Sequence, residues 1–141
     1  MKSLAFFATF VVLFTLILPL SALSKNYRYM SAEEVKEHIE QATPMTLVDI
    51  QVENEFVQHH ITGAVATYAY PVKTDTEREK MSAVISGLVT NNNLAIVVCP
   101  RGGGGAKRAY DHLLASGISD ERVYILTDGQ AKWPYPELLD K

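Results

Sequence analysis

A continuous apolar run from Leu94 to Cys99 constrains the fold of this chain more than any other segment. A strand whose side chains are all apolar has to be covered on both faces, which is typical of a central strand in a parallel sheet. Helical patterns precede and follow it, over Asp75–Leu88 and Ala106–Ala115. Strands that alternate with helices predict an α/β domain with a largely parallel sheet.

The remaining segments fit the same alternation. Ser31-Ala-Glu-Glu34 is a capping box and predicts the start of a helix. Glu53–His59 predicts one or two helical turns, and the remaining strand candidates are Met45–Ile50, a short strand within Ile61–Thr67, and Val123–Leu126. Ligands of such sheets bind beyond the carboxyl ends of the strands, and Cys99 stands at that end of the most apolar strand.

The first 24 residues have the pattern of an export signal. Lys2 precedes an apolar run over residues 4–23, and Ala22-Leu23-Ser24 places small residues where a signal peptidase cuts. An uncleaved membrane anchor is the alternative, because about 20 apolar residues just span a bilayer. Both interpretations predict a periplasmic or secreted domain over residues 25–141, with a membrane tether only through residues 4–23.

Charge argues against a nucleic-acid partner. Thirteen residues of the chain are basic and sixteen are acidic, and one of the basic residues, Lys2, belongs to the predicted signal. The predicted domain therefore has a mild net negative charge of −4 and lacks the basic footprint of a polyanion binder.

Cys99 is the single cysteine of the chain, which excludes an intramolecular disulfide. A lone thiol in an exported protein is a reactive group or the partner of another chain. The structural alternative is a buried, small hydrophobic side chain. Its position at the end of a central strand favours reactivity.

The segment after Cys99 predicts an anion cradle. Glycines 102–105 can turn their backbone N–H groups inward, and the following helix adds its N-terminus. Arg101, Lys107 and Arg108 are candidate cations, although adjacent residues 107 and 108 cannot both face the cradle. These features favour an anionic sulfur that attacks an anionic substrate. A flexible loop with solvated charges is the alternative.

The chain resembles the rhodanese-like sulfurtransferases over about Tyr29 to Trp133. Each matching segment is weak alone, and their order and spacing are specific. The segments are Ser31–Glu34, Leu47–Ile50 with Glu55-Phe56, His60–Ala64 with Pro71, Val97–Gly102, and Val123–Leu126 with Gly129 and Trp133.

This resemblance implies a three-layer α/β/α domain with a central five-stranded parallel sheet. It implies that Cys99 takes a sulfane sulfur from a small anionic donor such as thiosulfate and passes it to cyanide or a thiol. The backbone amides of Arg101, Gly102, Gly103, Gly104 and Gly105 would hold the persulfide. Asp49 and His60 would have supporting roles, and neither a metal nor a cofactor is implied.

Three departures from the family pattern stand beside this resemblance. Gln51 replaces an arginine that usually follows Asp49, Gly104 replaces a loop arginine, and the segment from Cys99 to Gly117 is one residue longer than is common. Phosphatase and arsenate-reductase relatives accept larger oxyanions but clamp them with that loop arginine. Sulfur transfer therefore ranks first, and a catalytically weak binding module and an oxyanion enzyme are the alternatives.

Overall fold

The computed structural model describes residues 25–141, so the predicted signal segment lies outside the described residues. Strands and helices alternate within this range. The strands are β1 (Tyr29–Met30), β2 (Met45–Asp49), β3 (His60–Ile61), β4 (Val65–Ala66), β5 (Leu94–Val98), β6 (Val123–Leu126) and β7 (Leu139–Asp140). The helices are α1 (Ala32–Glu40), α2 (Glu53–Phe56), α3 (Asp75–Glu79), α4 (Ser82–Thr90) and α5 (Gly104–Ala115), with short 3-10 helices at Asp120–Arg122, Gln130–Lys132 and Pro136–Leu138.

Five parallel strands form the main sheet in the order β1-β6-β5-β2-β4, which confirms the predicted architecture. The apolar strand β5 lies in the centre between β6 and β2. Asp49 at the end of β2 pairs in register with Val98 at the end of β5. The carboxyl ends of the two strands therefore meet at one edge, where Cys99 follows.

Two buried clusters cover the two faces of this sheet. The first cluster, which we call the α4/α5 core, packs residues of these two helices against residues such as Val97. The second, the α1 core, packs Val35 and Trp133 against Ile96 and Val98. Strand β5 contributes alternate side chains to both cores, as its apolar sequence predicts.

The helix starts follow the capping residues. Ser31 caps α1, and its hydroxyl and the carboxylate of Glu34 form the predicted capping box. The prediction of a single helix over residues 75–88 is wrong, because α3 ends at Glu79 and α4 begins at Ser82. The Met81 N–H donates to the carbonyl of Arg78, three residues back, and this tight turn ends α3 while the Met81 side chain is fully buried.

None of the helices within residues 25–141 is long and apolar enough to cross a membrane.

Candidate active site

Cys99 leaves the end of β5 and begins a loop, residues 99–103, that leads directly into α5. The Gly102 N–H donates a hydrogen bond to Cys99 Sγ at 2.8 Å. Helix α5 begins at Gly104, two residues earlier than the sequence predicted, so two of the glycines form its first turn. The N–H groups of a first turn have no partner within the helix, and they are available to an anion. Cys99 is only 2% exposed and also contacts the α4/α5 core.

The segment after β6 holds the loop in place. The carbonyls of Cys99 and Pro100 accept hydrogen bonds from the N–H groups of Gln130 and Ala131, at 2.8 and 3.0 Å. Gly129 makes this approach possible, because a Cβ there would lie 2.3 Å from the Cys99 carbonyl oxygen. Its φ of 67° also belongs to the left-handed region that favours glycine.

A second close approach fixes the start of α5. A Cβ on Gly105 would lie 2.7 Å from Cε2 of the Tyr70 ring, so a larger residue here would displace that ring. The N–H of Tyr70 donates to the carbonyl of Ile50, just after β2. By contrast, a Cβ on Gly103 would contact nothing. The tetraglycine segment is therefore packed at its far end and open in its middle.

The three candidate cations have different surroundings. The Lys107 ammonium lies over the Tyr27 ring, 5.4 Å from its centroid. The Arg108 Nε donates to the Pro71 carbonyl at 2.8 Å, and its Nη1 lies 3.0 Å from where a Cβ on Gly104 would be. Arg101 is exposed on the loop. Arg108 is therefore the cation that the fold brings to the first turn of α5.

Asp49 is fully buried at the end of β2, and Gln51 satisfies it. The backbone N–H and the Nε2 of Gln51 donate to the two carboxylate oxygens of Asp49, at 2.9 and 3.0 Å. Burial raises the pKa of Asp49 from 3.8 to about 6, while the hydrogen bonds from Gln51 act in the opposite direction. Gln51 thus supplies hydrogen bonds, but no charge, to the carboxyl group of Asp49, for which the family resemblance implied a supporting role.

His60 makes its contacts with Phe56, at the end of α2, and these contacts support the fold. Its Nδ1 lies 2.9 Å from the Phe56 carbonyl oxygen, and its ring stacks on the Phe56 ring with 3.8 Å between centroids. Among residues 25–141, no group of three or more His, Cys, Asp or Glu side chains is arranged to hold a metal ion.

Sequence reasoning did not single out Gln130. Gln130 is 3% exposed, and its backbone binds the Cys99 carbonyl. The one available signal was Gly129, which belongs to the closing segment of the family resemblance. The contacts themselves join segments that lie about 30 residues apart, and no local pattern predicts them.

The sequence profile described as "Rhodanese-like domain" matches residues 31–134. The fold is similar to an As-Sb reductase from Leishmania major, at 18% identity over 81% of this chain and 85% of that one, with a TM-score of 0.61. It is also similar to a yeast protein tyrosine phosphatase of the rhodanese family, at 19% identity over 77% and 85%, with a TM-score of 0.62.

A rhodanese-like domain protein from Staphylococcus aureus is similar at 21% identity, over 79% of this chain and 95% of that one, with a TM-score of 0.56. No similarity to a curated protein was found. At these identities the solved structures support the fold and not a particular reaction.

Proposed function

Because the chain belongs to the family of rhodanese-like domains, we propose that it is an exported sulfurtransferase whose Cys99 carries sulfane sulfur as a persulfide. Membership in the family supports a sulfurtransferase-like or related activity. The observation that carries the finer proposal is the Gly102 N–H on Cys99 Sγ, at 2.8 Å, beside the N-terminus of α5. Such a position stabilises negative charge on sulfur.

The proposed reaction has two displacements at sulfur. The Cys99 thiolate attacks the outer sulfur of thiosulfate, a new sulfur–sulfur bond forms, and sulfite leaves with the electron pair of the broken bond. Cyanide or a thiolate then attacks the outer sulfur of the persulfide, and Cys99 leaves as a thiolate. The Arg108 guanidinium attracts the anionic donor, and the loop amides hold the charge on the outer sulfur.

Intact mass spectrometry of the protein before and after thiosulfate tests this proposal, with Cys99→Ala as the control. We expect the wild type alone to gain the mass of one sulfur atom and to lose it when cyanide is added. If no sulfur is gained at any thiosulfate concentration, the sulfurtransferase proposal is wrong.

A second candidate function is a binding module without turnover, and the burial of Cys99 to 2% exposure favours it. Such a module would fail to load sulfur, and its thiol would resist alkylation. An oxyanion enzyme is the third candidate. Gly104 has no side chain with which to clamp an oxyanion, and the Nε of the nearby Arg108 is already bound to the Pro71 carbonyl, so we expect no hydrolysis of p-nitrophenyl phosphate.

A further inference from the structure

A cleft of about 340 Å³ lies between the segment around α3 and the outer face of α5. Its wall consists of Val72, Arg78, Arg108, Asp111, His112 and Ala115. The loop of residues 99–103 contributes nothing to this wall, so the cleft is separate from the loop that carries Cys99. Its volume is within the range of sites that hold small molecules.

Arg108 presents unused hydrogen-bond donors to this cleft. Its Nε donates to the Pro71 carbonyl, but within residues 25–141 neither Nη atom has a hydrogen-bond acceptor and no carboxylate forms a salt bridge with the guanidinium. The Nη atoms are not among the fully inaccessible polar atoms of the described residues, so a ligand can reach them. A half-buried guanidinium without a counterion favours an anion as its partner.

Arg78 brings a second guanidinium to the same cleft from α3. Its Nη1 donates to the Lys73 carbonyl at 3.1 Å, which fixes the direction of the side chain. Its carboxylate partner, Asp75, has a side chain that is 99% exposed, so solvent weakens that ion pair. The charge of Arg78 is felt on α5, because burial and this charge both lower the pKa of His112.

The charge of the wall is positive. Among the described residues that form it, Asp111 alone carries a carboxylate. The Lys25 ammonium and the Tyr27 hydroxyl each donate to one oxygen of that carboxylate, so its charge is already engaged. Two guanidinium groups against one paired carboxylate favour an anion over a neutral or cationic ligand.

We propose that this cleft binds a tetrahedral oxyanion, such as sulfate or phosphate, between the guanidinium groups of Arg78 and Arg108. Each guanidinium presents parallel N–H groups that match two oxygens of such an ion. Binding makes and breaks no covalent bond at Cys99, so it does not depend on the proposed sulfurtransferase function.

Nuclear magnetic resonance of the histidine rings locates the bound ion. His112 lines the cleft, His59 lines the cavity beside the Cys99 loop, and His38 lies on α1. Sodium sulfate replaces sodium chloride at constant ionic strength, and the ring signals are assigned by single substitutions. We expect the His112 signals to shift and to saturate at millimolar sulfate while those of His38 stay in place. A shift confined to His59 would place the ion at the Cys99 loop and overturn the proposal.

Arg78→Gln removes one of the two guanidinium groups and keeps the capping box that begins α3. We expect the half-saturating sulfate concentration to rise at least about tenfold, the effect of losing a charge-assisted hydrogen bond. Arg28→Gln is the matched control, because it removes the same charge from an exposed arginine over the Tyr124 ring. Equal weakening by both substitutions would mean that sulfate responds only to net charge, and would overturn the site.

Phosphate and acetate test the shape and charge of the ligand. We expect phosphate to shift the His112 signals as sulfate does. Acetate is planar and monovalent, so it should bind at least about tenfold more weakly. Equal binding of acetate would overturn the assignment to tetrahedral oxyanions.

Ala115→Glu covers the case in which Arg78→Gln does not fold. Ala115 is an exposed residue of the wall, and a carboxylate there competes with the ion for the guanidinium groups. Ala83→Glu adds the same charge at an exposed position of α4 outside the cleft. We expect Ala115→Glu to lose the sulfate-dependent shift of His112 and Ala83→Glu to keep it. A full shift in Ala115→Glu would overturn the proposal.

Discussion

Arg108 occupies the space toward which a side chain at position 104 would point. The two residues are four apart in α5 and share one face of the helix, and Nη1 of Arg108 lies 3.0 Å from the position of a Gly104 Cβ. The bond from Nε to the Pro71 carbonyl fixes the direction of the guanidinium. We infer that Arg108 supplies, from the next turn, the positive charge that Gly104 does not provide.

Replacing Arg108 should therefore weaken donor binding. Arg108→Gln removes the charge beside the first turn of α5, and we expect the KM for thiosulfate to rise about tenfold, because hydrogen bonds to charged groups contribute about 1.5–3 kcal/mol. Lys107→Gln is the matched control, since that ammonium lies over Tyr27. Steady-state kinetics measures both variants, and equal effects of the two substitutions would contradict this assignment.

Asp49 predicts a dependence of stability on pH. Its pKa is raised to about 6 in the folded protein, from an ordinary value of 3.8. Between about pH 4 and pH 6 the folded state therefore binds more protons than the unfolded state, so the free energy of unfolding falls as the pH rises through this window. A change of this size in pKa corresponds to a loss of at most about 3 kcal/mol in the free energy of unfolding.

Asp49→Asn removes this titration. The amide of Gln51 can rotate to offer its oxygen to the new side-chain NH₂, so both hydrogen bonds can be kept. We expect the variant to lose less stability than the wild type between about pH 4 and pH 7, since it has no carboxyl group to titrate there. Urea unfolding at both pH values measures the difference. Parallel pH profiles for the two proteins would contradict the prediction.

At the scale of residues, the sequence predicted which groups stand near the sulfur better than it predicted what they contact. Cys99 and the glycine segment follow from a strand end and a local pattern. The sequence predicted that Lys107 and Arg108 diverge, but which of them faces the site depends on Tyr27 and Pro71, which come from distant parts of the chain. The Gln130 contact is likewise tertiary, and no periodicity reveals it.

The turn between β6 and the 3-10 helix at Gln130–Lys132 holds the Cys99 loop. Gly129→Ala would place a Cβ 2.3 Å from the Cys99 carbonyl oxygen and 2.6 Å from the Gly102 nitrogen, so the two segments must separate. We expect a loss of about 3 kcal/mol in the free energy of unfolding, together with loss of sulfur loading. Denaturant unfolding and mass spectrometry measure these two effects.

Gly63→Ala is the matched control for that turn. Gly63 also has a positive φ, of 82°, but a Cβ there contacts nothing. Gly63→Ala should lower the free energy of unfolding only by the conformational penalty of about 1–2 kcal/mol, and sulfur loading should be unchanged. If both alanine variants load sulfur normally, the contact at Gly129 does not position the loop.

At the scale of elements, the sequence predicted the apolar strands and the short helix α2, but it did not predict the start of α5 or the pairing of β3 with β7. Strand β6 has the bounds that the sequence predicted, and β5 ends one residue earlier, at Val98. Helix α5 begins inside the glycine segment, where intrinsic helix propensity is low and tertiary packing decides. The antiparallel pair of β3 and β7 joins residues about 80 positions apart, and two-residue strands carry no periodic signal.

At the scale of the whole molecule, the central sheet couples the two cores. Val97 belongs to the α4/α5 core, while its neighbours Ile96 and Val98 belong to the α1 core. A strand that loses its packing on one face cannot keep the other face buried, because the same backbone carries both sets of side chains. The two cores should therefore unfold in one transition, as is usual for a domain of this size.

Leu113→Ala tests this coupling with a probe on the opposite face. Leu113 is fully buried in the α4/α5 core, and its truncation should cost about 3 kcal/mol. Trp133, the single tryptophan, reports on the α1 core by fluorescence, whereas far-ultraviolet circular dichroism reports on all helices. In Leu113→Ala we expect both signals to shift to the same lower urea midpoint. Val89→Ala, at a site 60% exposed, is the control, and it should change the free energy of unfolding by no more than about 0.5 kcal/mol with either signal. An unshifted fluorescence midpoint in Leu113→Ala would mean that the faces of the sheet unfold independently, and that damage behind Cys99 need not reach the segment that holds its loop.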